Sequence, residues 1–189
     1  EDTDYGENQV RIFVSSAPHR NICDRGEDLR KGAPILSRGT LLTPAHLGVL
    51  AGQGLDRASV FAPLEVGVLA TGDELVSPGV PLPPGKIYNS NGTYLSARLC
   101  QLGMCPTVED RGADQLDVLT ASLEALLDRC GAVISTGGVS VGEKDLMPAA
   151  LEALGAQILF HGVAVKPGSP VLAASVRGKP VLCLSGNPF

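Results

Sequence analysis

The chain has 189 residues, a hydrophobic fraction of 44%, a net charge of −5 and a pI near 5.1. That length allows one substantial α/β domain plus a smaller piece, with enough apolar residues for a core. The acidic balance argues against a general phosphate-backbone binder, and aromatics at 4% with no Trp leave no stacking platform for single-stranded nucleic acid. The five cysteines (Cys23, Cys100, Cys105, Cys130, Cys183) form no C-x-x-C pair and the three histidines are scattered. Neither a zinc site nor a disulfide framework is indicated; reduced thiols in the cytoplasm are expected. No apolar run is long enough to span a membrane, and no signal-peptide pattern opens the chain. The start at Glu1 without Met and the stop at Phe189, just past an expected strand, suggest a piece of a longer protein.

In chain order, Val10 to Ser15 reads as a short strand, followed by a charged, Gly-rich stretch containing Arg25-Gly26-Glu27-Asp28. Thr43 suits the N-cap and Pro44 the first position of a helix carrying Leu47, Leu50 and Ala51 on one face. From Glu65 the texture changes. Val66 to Ala70 is a continuous apolar run, as in a buried parallel strand. A Pro/Gly loop from Ser77 to Gly85 leads to a helix with Asn91 as expected cap, Leu95, Leu99 and Leu102 on one face, and Gly103 as terminator. Asp114 is read as the cap of a second helix, with Leu116, Leu119, Leu123 and Leu126 inward. Ala132 to Ser135 is the next strand, and Leu146 to Leu154 a helix ended by Gly155. Gln157 to Phe160, Val163 to Val165, Val171 to Ser175 and Val181 to Leu184 are expected to be extended. Strands alternating with helices predict an α/β fold: a doubly wound, mostly parallel sheet with helices on both faces, preceded by a small extended α+β segment.

Ligands of such sheets bind beyond the carboxyl ends of the strands. That places three polar glycine turns on one edge: Thr71-Gly72-Asp73-Glu74, Ser135-Thr136-Gly137-Gly138 and Ser185-Gly186-Asn187-Pro188. Glycines let backbone N–H groups approach an anion closely, and a following helix N-terminus adds to the attraction. Glu74, Asp114 and Asp145 would lie near the same edge. Carboxylates and a bound anion repel unless a hard cation stands between them, and Mg²⁺ is the natural bridge. Lys144 and Lys166 would offset further negative charge. No Walker A, G-x-G-x-x-G or G-x-S-x-G motif is present, which removes support from nucleotide hydrolysis, nicotinamide chemistry and a serine nucleophile.

Thr71 to Leu75, Gly85-Lys86-Ile87-Tyr88-Asn89-Ser90-Asn91, Ser135 to Asp145, Lys166-Pro167-Gly168 and Gly186-Asn187-Pro188 occur in an order and spacing that resembles the MoeA family of molybdopterin molybdenumtransferases, which includes the gephyrin E domain. Asn21-Ile22, Arg25 to Leu29 and Gly39-Thr40 resemble it too, so the likeness covers nearly the whole chain. The resemblance implies Mg²⁺-dependent insertion of molybdate into adenylylated molybdopterin with release of AMP, in a cytoplasmic homodimer that receives its substrate from a molybdopterin adenylyltransferase. It implies that residues 1–22 end a β-rich domain, 23–64 belong to an extended dimerisation domain, and 65–189 form a molybdopterin-binding α/β domain truncated at its C-terminus. By position, Asp28, Glu74, Asp114 and Asp145 match functionally important carboxylates, with Asp114 and Asp145 as the Mg²⁺ contacts. Ser140, Lys166 and Pro167 match positions near molybdate or pterin. Thr71, Gly72, Asp73, Gly137, Gly138, Lys144, Gly186, Asn187 and Pro188 complete the ligand-binding turns.

The chain departs from the family pattern at Gly162 and Ser169, where basic residues are common, and at Gln115 and Asn89, where acidic ones are. The losses at Gly162 and Ser169 weaken the local positive field. Two other readings stand beside the first: the related molybdopterin adenylyltransferase, and a non-catalytic gephyrin-like scaffold.

Overall fold

The structure, a computed structural model, describes residues 2–111, 115–139 and 145–187, the side chains of residues 110 and 111 excepted. It divides into two compact units, Glu1–Val60 and Phe61–Phe189.

The first unit carries one helix, α1 (Pro44–Gly52). Thr43 is its N-cap, as expected, and its N–H donates to His46 Nδ1 at 3.1 Å. Among the described residues of this unit no side chain is fully buried. The strand expected over Val10 to Ser15 does not form; a single antiparallel bridge, Thr3 to Ile12, is what the segment contributes. Ile12 and Phe13 are 72% and 68% exposed, so alternation alone, with no partner strand to cover it, did not make a strand here.

The second unit is a six-stranded sheet in the order β4-β1-β5-β8-β7-β6. The strands are β1 (Glu65–Thr71), β4 (Cys105–Arg111), β5 (Ala132–Thr136), β6 (Gln157–His161), β7 (Leu172–Val176) and β8 (Lys179–Leu184); β2 (Leu75–Val76) and β3 (Ile87–Tyr88) pair separately. β4, β1, β5 and β8 run parallel, while β7 and β6 are antiparallel additions at one side.

Period-two alternation in β1 decides which helix covers which face. Val66 and Val68 join Leu99 of α2 (Ser90–Gln101) on one side. Leu69 joins Leu119, Leu123, Leu126 and Leu127 of α3 (Leu116–Arg129) and Met147, Ala150 and Leu151 of α4 (Leu146–Ala153) on the other. Each such fully buried leucine stabilises the fold by roughly 1.5–3 kcal/mol. Gly67 sets the depth of α3: a Cβ there would sit 3.0 Å from a Leu126 methyl, so the helix packs directly on the backbone of β1.

Several boundaries differ from expectation. β4 reads Cys-Pro-Thr-Val-Glu-Asp-Arg and gives no apolar run; it is an edge strand that needs one protected side, and an edge tolerates Pro106. Val163 to Val165 is not a strand: the Val165 N–H turns back onto the Val163 carbonyl at 2.9 Å. Leu102 and Leu116 are exposed rather than inward, each standing just past or at the first position of its helix. The cap of α3 is Gln115, without a side-chain cap bond; Asp114 lies outside the described residues. The cap of α2 is Asn89, whose side chain accepts the Gly92 N–H at 2.8 Å, not Asn91.

Candidate functional site

The carboxyl ends of β1, β5 and β8 meet at one edge of the sheet. Thr71 Oγ1, at the end of β1, donates to the Thr136 carbonyl at 3.2 Å. The Gly137 N–H donates to the Leu184 carbonyl at 3.1 Å. Gly137 and Gly138 both take positive φ, 89° and 65°. A Cβ on Gly137 would lie 2.4 Å from the Thr71 carbonyl oxygen, and one on Gly186 would lie 3.3 Å from the Gly137 Cα. Only residues without a side chain let the three turns touch backbone to backbone. Among the described residues the N–H groups of Gly138 and Gly186 have no acceptor. Backbone donors without acceptors in two turns that touch at the carboxyl edge of the sheet suit an anionic oxygen.

Asp145 stands beside this cradle as the N-cap of α4. Its Oδ1 accepts the Met147 N–H at 3.3 Å, and Gly138 lies close enough that a Cβ there would be 4.0 Å from the same oxygen. Its Oδ2 is buried with no hydrogen-bond partner among the described residues. Burial raises the Asp145 pKa above the ordinary carboxylate value, opposed in smaller measure by the Met147 N–H and by the charge of His161. Beneath it Ser135, fully buried, faces Cys183 across the parallel ladder. Burial pushes the Cys183 thiol up to about 11, tempered by Ser135 and reinforced by the Asp145 charge.

The remaining expected residues are placed as follows. Thr71 and Gly72 are buried at the end of β1, and Asp73 and Glu74 are exposed in the turn after it. The Glu74 carboxylate folds back over Gly72, where a Cβ would be 2.7 Å from it. The Asp73 carbonyl accepts from Lys86 Nζ. Lys166 and Pro167 are exposed, joined by a cis peptide bond, in the connection from β6 to β7. That connection leaves the same sheet edge, because β6 and β8 are both antiparallel to β7. β6 lies three strands from β5, which at about 4.8 Å per strand is roughly 14 Å along the edge. Gly186 and Asn187 are exposed after β8. Asp28 is exposed in the other unit. Asp114, Ser140, Lys144 and Pro188 lie outside the described residues. Among the described residues no three His, Cys, Asp or Glu side chains gather as a metal cluster.

One residue escaped the sequence reading. Asn91 Nδ2 donates to the Gly186 carbonyl at 2.8 Å, tying α2 to the turn after β8. The available signal was the pair of asparagines two apart at the helix start: one position can cap, which leaves the other for a different role.

A doubly wound sheet with three glycine turns at its carboxyl edge, and beside them a carboxylate oxygen without a partner among the described residues, defines an α/β domain with a candidate anion site. Residues 67–189 match the family described as a probable molybdopterin binding domain, and residues 1–54 match the MoeA N-terminal region, domains I and II. The chain belongs to the MoeA family. It is similar to molybdopterin molybdenumtransferase of Bacillus subtilis strain 168, 40% identical over 89% of this chain and 39% of that protein. It is 37% identical to the protein of the same name from Staphylococcus aureus strain COL, over 96% of this chain and 43% of that one. The crystal structure of a molybdopterin biosynthesis MoeA protein from Pyrococcus horikoshii superposes with a TM-score of 0.79 at 29% identity, covering 99% of this chain and 46% of that one. The chain thus spans about two fifths of the length of the curated relatives it matches.

Proposed function

We propose that the chain carries the substrate-binding α/β domain of a molybdopterin molybdenumtransferase, which in the whole protein inserts molybdate into adenylylated molybdopterin and releases AMP. The observation that carries the reading is the Asp145 Oδ2 beside the Gly137–Gly138 turn, buried and without a partner among the described residues. A carboxylate oxygen kept from water without a partner costs about 1–3 kcal/mol, a cost that a hard cation at that oxygen would remove. The residue therefore fits Mg²⁺, with Asp114 as the proposed second contact. Bound there, Mg²⁺ would supply charge neutralisation and polarisation of phosphate or molybdate oxygens. The Gly138 and Gly186 N–H groups hold an anionic oxygen, Lys144 and Lys166 offset charge, and Ser140, Pro167, Asn187 and Pro188 shape the ligand surface. Asp28 and Glu74 are assigned catalytic roles on the family resemblance.

A homodimer, a molybdopterin adenylyltransferase as the donor of substrate, and a cytoplasmic location complete the proposal; all five cysteines are free thiols, in keeping with that location. Residues 1–22 are read as the end of a β-rich domain and 23–64 as part of the dimerisation domain. The match of residues 1–54 to the MoeA N-terminal region favours this reading over an adenylyltransferase. Molybdate-dependent AMP release from adenylylated molybdopterin by the full-length protein tests it. Binding without release would instead support a scaffold.

A further inference from the structure

β8 ends at Leu184, so the Ser185–Asn187 turn has no ladder to hold it. Gly186 without a Cβ would sample many backbone conformations if left alone. Two bonds prevent that. The Gly186 carbonyl accepts from Asn91 Nδ2 at 2.8 Å, and the Asn187 N–H donates to Ser185 Oγ at 3.3 Å. The carbonyl and that N–H belong to one planar peptide, so both of its ends are held. Holding this peptide narrows the conformations open to the neighbouring Gly186 N–H, which has no acceptor among the described residues, and the turn packs so close to Gly137 that a Cβ on Gly186 would lie 3.3 Å from the Gly137 Cα.

Asn91 is free for this duty because α2 is capped by Asn89, 3% exposed, two residues earlier. A carbonyl oxygen only accepts, so the amide nitrogen must face it, and the amide orientation follows from the network. Partners 95 residues apart in sequence are thereby joined by a side chain that helix formation does not require. We infer that Asn91 is a positioning residue for the pterin-anion site, holding the turn after β8 in its ligand-binding conformation. This rests on the proposed function.

The test uses the full-length protein with Asn91→Ala and the near-isosteric Asn91→Asp, which replaces the donor by a second acceptor. Equilibrium binding of adenylylated molybdopterin and steady-state AMP release are measured with thermal melting. The expected result is a 5–30-fold weaker Kd and higher KM in both variants, the range for loss of one or two kcal/mol of ordering. Asp should be the worse, and kcat and melting temperature should stay close to wild type. Asn91→Gln, which keeps the amide, should recover part of the affinity. Wild-type Kd and KM in the Ala and Asp variants would overturn the inference alone, as would a loss confined to melting temperature. No binding by the wild type would overturn both this inference and the functional reading.

Discussion

Asp145→Asn separates stability from function in a way that the geometry around Asp145 dictates. Asparagine keeps an oxygen to accept the Met147 N–H, so the cap of α4 survives. It removes the charge from a carboxylate whose second oxygen is buried without a partner among the described residues. The asparagine amide nitrogen at that position is no better paired, so the variant gains only the difference between burying a charged and a neutral group, about 1 kcal/mol at this half-buried site. For a domain of this size that is a rise in melting temperature of about 3–5 °C in metal-free buffer. The sign follows from the raised pKa of Asp145. A carboxyl that holds its proton more tightly when folded lowers stability as pH rises past the ordinary value of 3.8 and through the raised one. The variant's advantage should therefore be small at acid pH and full at neutrality. Adding Mg²⁺ should reverse the order, because a cation at 100 times its Kd stabilises the wild type by about 2.7 kcal/mol and has no carboxylate to bind in the variant. AMP release should be lost. Differential scanning calorimetry from about pH 4 to 8, with and without Mg²⁺, checks it. A variant less stable than wild type in metal-free buffer at neutral pH, or stabilised equally by Mg²⁺, would refute the reasoning.

Gly137→Ala places a Cβ 2.4 Å from the Thr71 carbonyl at a φ of 89°, so backbone strain and overpacking together should cost about 2–5 kcal/mol in urea melts and abolish ligand binding. Leu123→Ala, at a fully buried position of α3, should cost about 2–5 kcal/mol without changing Kd in the fraction still folded. Thiol labelling of the native protein at about pH 8 should modify Cys23, Cys100 and Cys105 and spare Cys130 and Cys183; with Cys183 pushed up to about 11, stability should also fall as pH rises from about 9 to 11. Arg177→Gly should leave the melting temperature close to wild type in a thermal melt: it loses exposed ion pairs to Glu124 and Asp128 but relieves a non-glycine residue at a φ of 52° in the two-residue β7–β8 turn.

The parts of the fold that showed in the sequence are those where one local rule is enough. Val66 to Ala70 is buried on both faces, so it reads as an uninterrupted apolar run; Leu119, Leu123 and Leu126 share one helical face; Thr43-Pro44, Gly103 and Gly155 mark helix ends by cap chemistry. What did not show depends on partners remote in sequence. β4 is a strand because β1 offers it a full ladder, and Val10 to Ser15 is not one because, among the described residues, it meets no more than the single Thr3–Ile12 bridge. The β7–β8 hairpin turns at Arg177-Gly178, where Arg occupies a position that usually takes Asn or Gly; its side chain is held by two carboxylates of α3, which no local pattern encodes.

The site follows the same division. Its glycines were legible because each stands just after an apolar strand, where a turn is required and a side chain is not. Asp145 was legible as a helix cap, yet capping engages one of its two oxygens, and only the fold shows that the other is buried and unmet among the described residues. Asn91 was misread because two asparagines competed for one cap, and the choice between them is made by Gly92 and by a turn 95 residues away. Where ordinary folding rules are satisfied throughout, a residue can be explained by stability alone. At this edge they are not: among the described residues, positive φ, glycines pressed backbone to backbone, donors without acceptors and a buried carboxylate oxygen without a partner occur together. Each costs folding free energy, and their concentration at the carboxyl ends of three strands is the physical reason to place ligand binding there rather than elsewhere on the sheet.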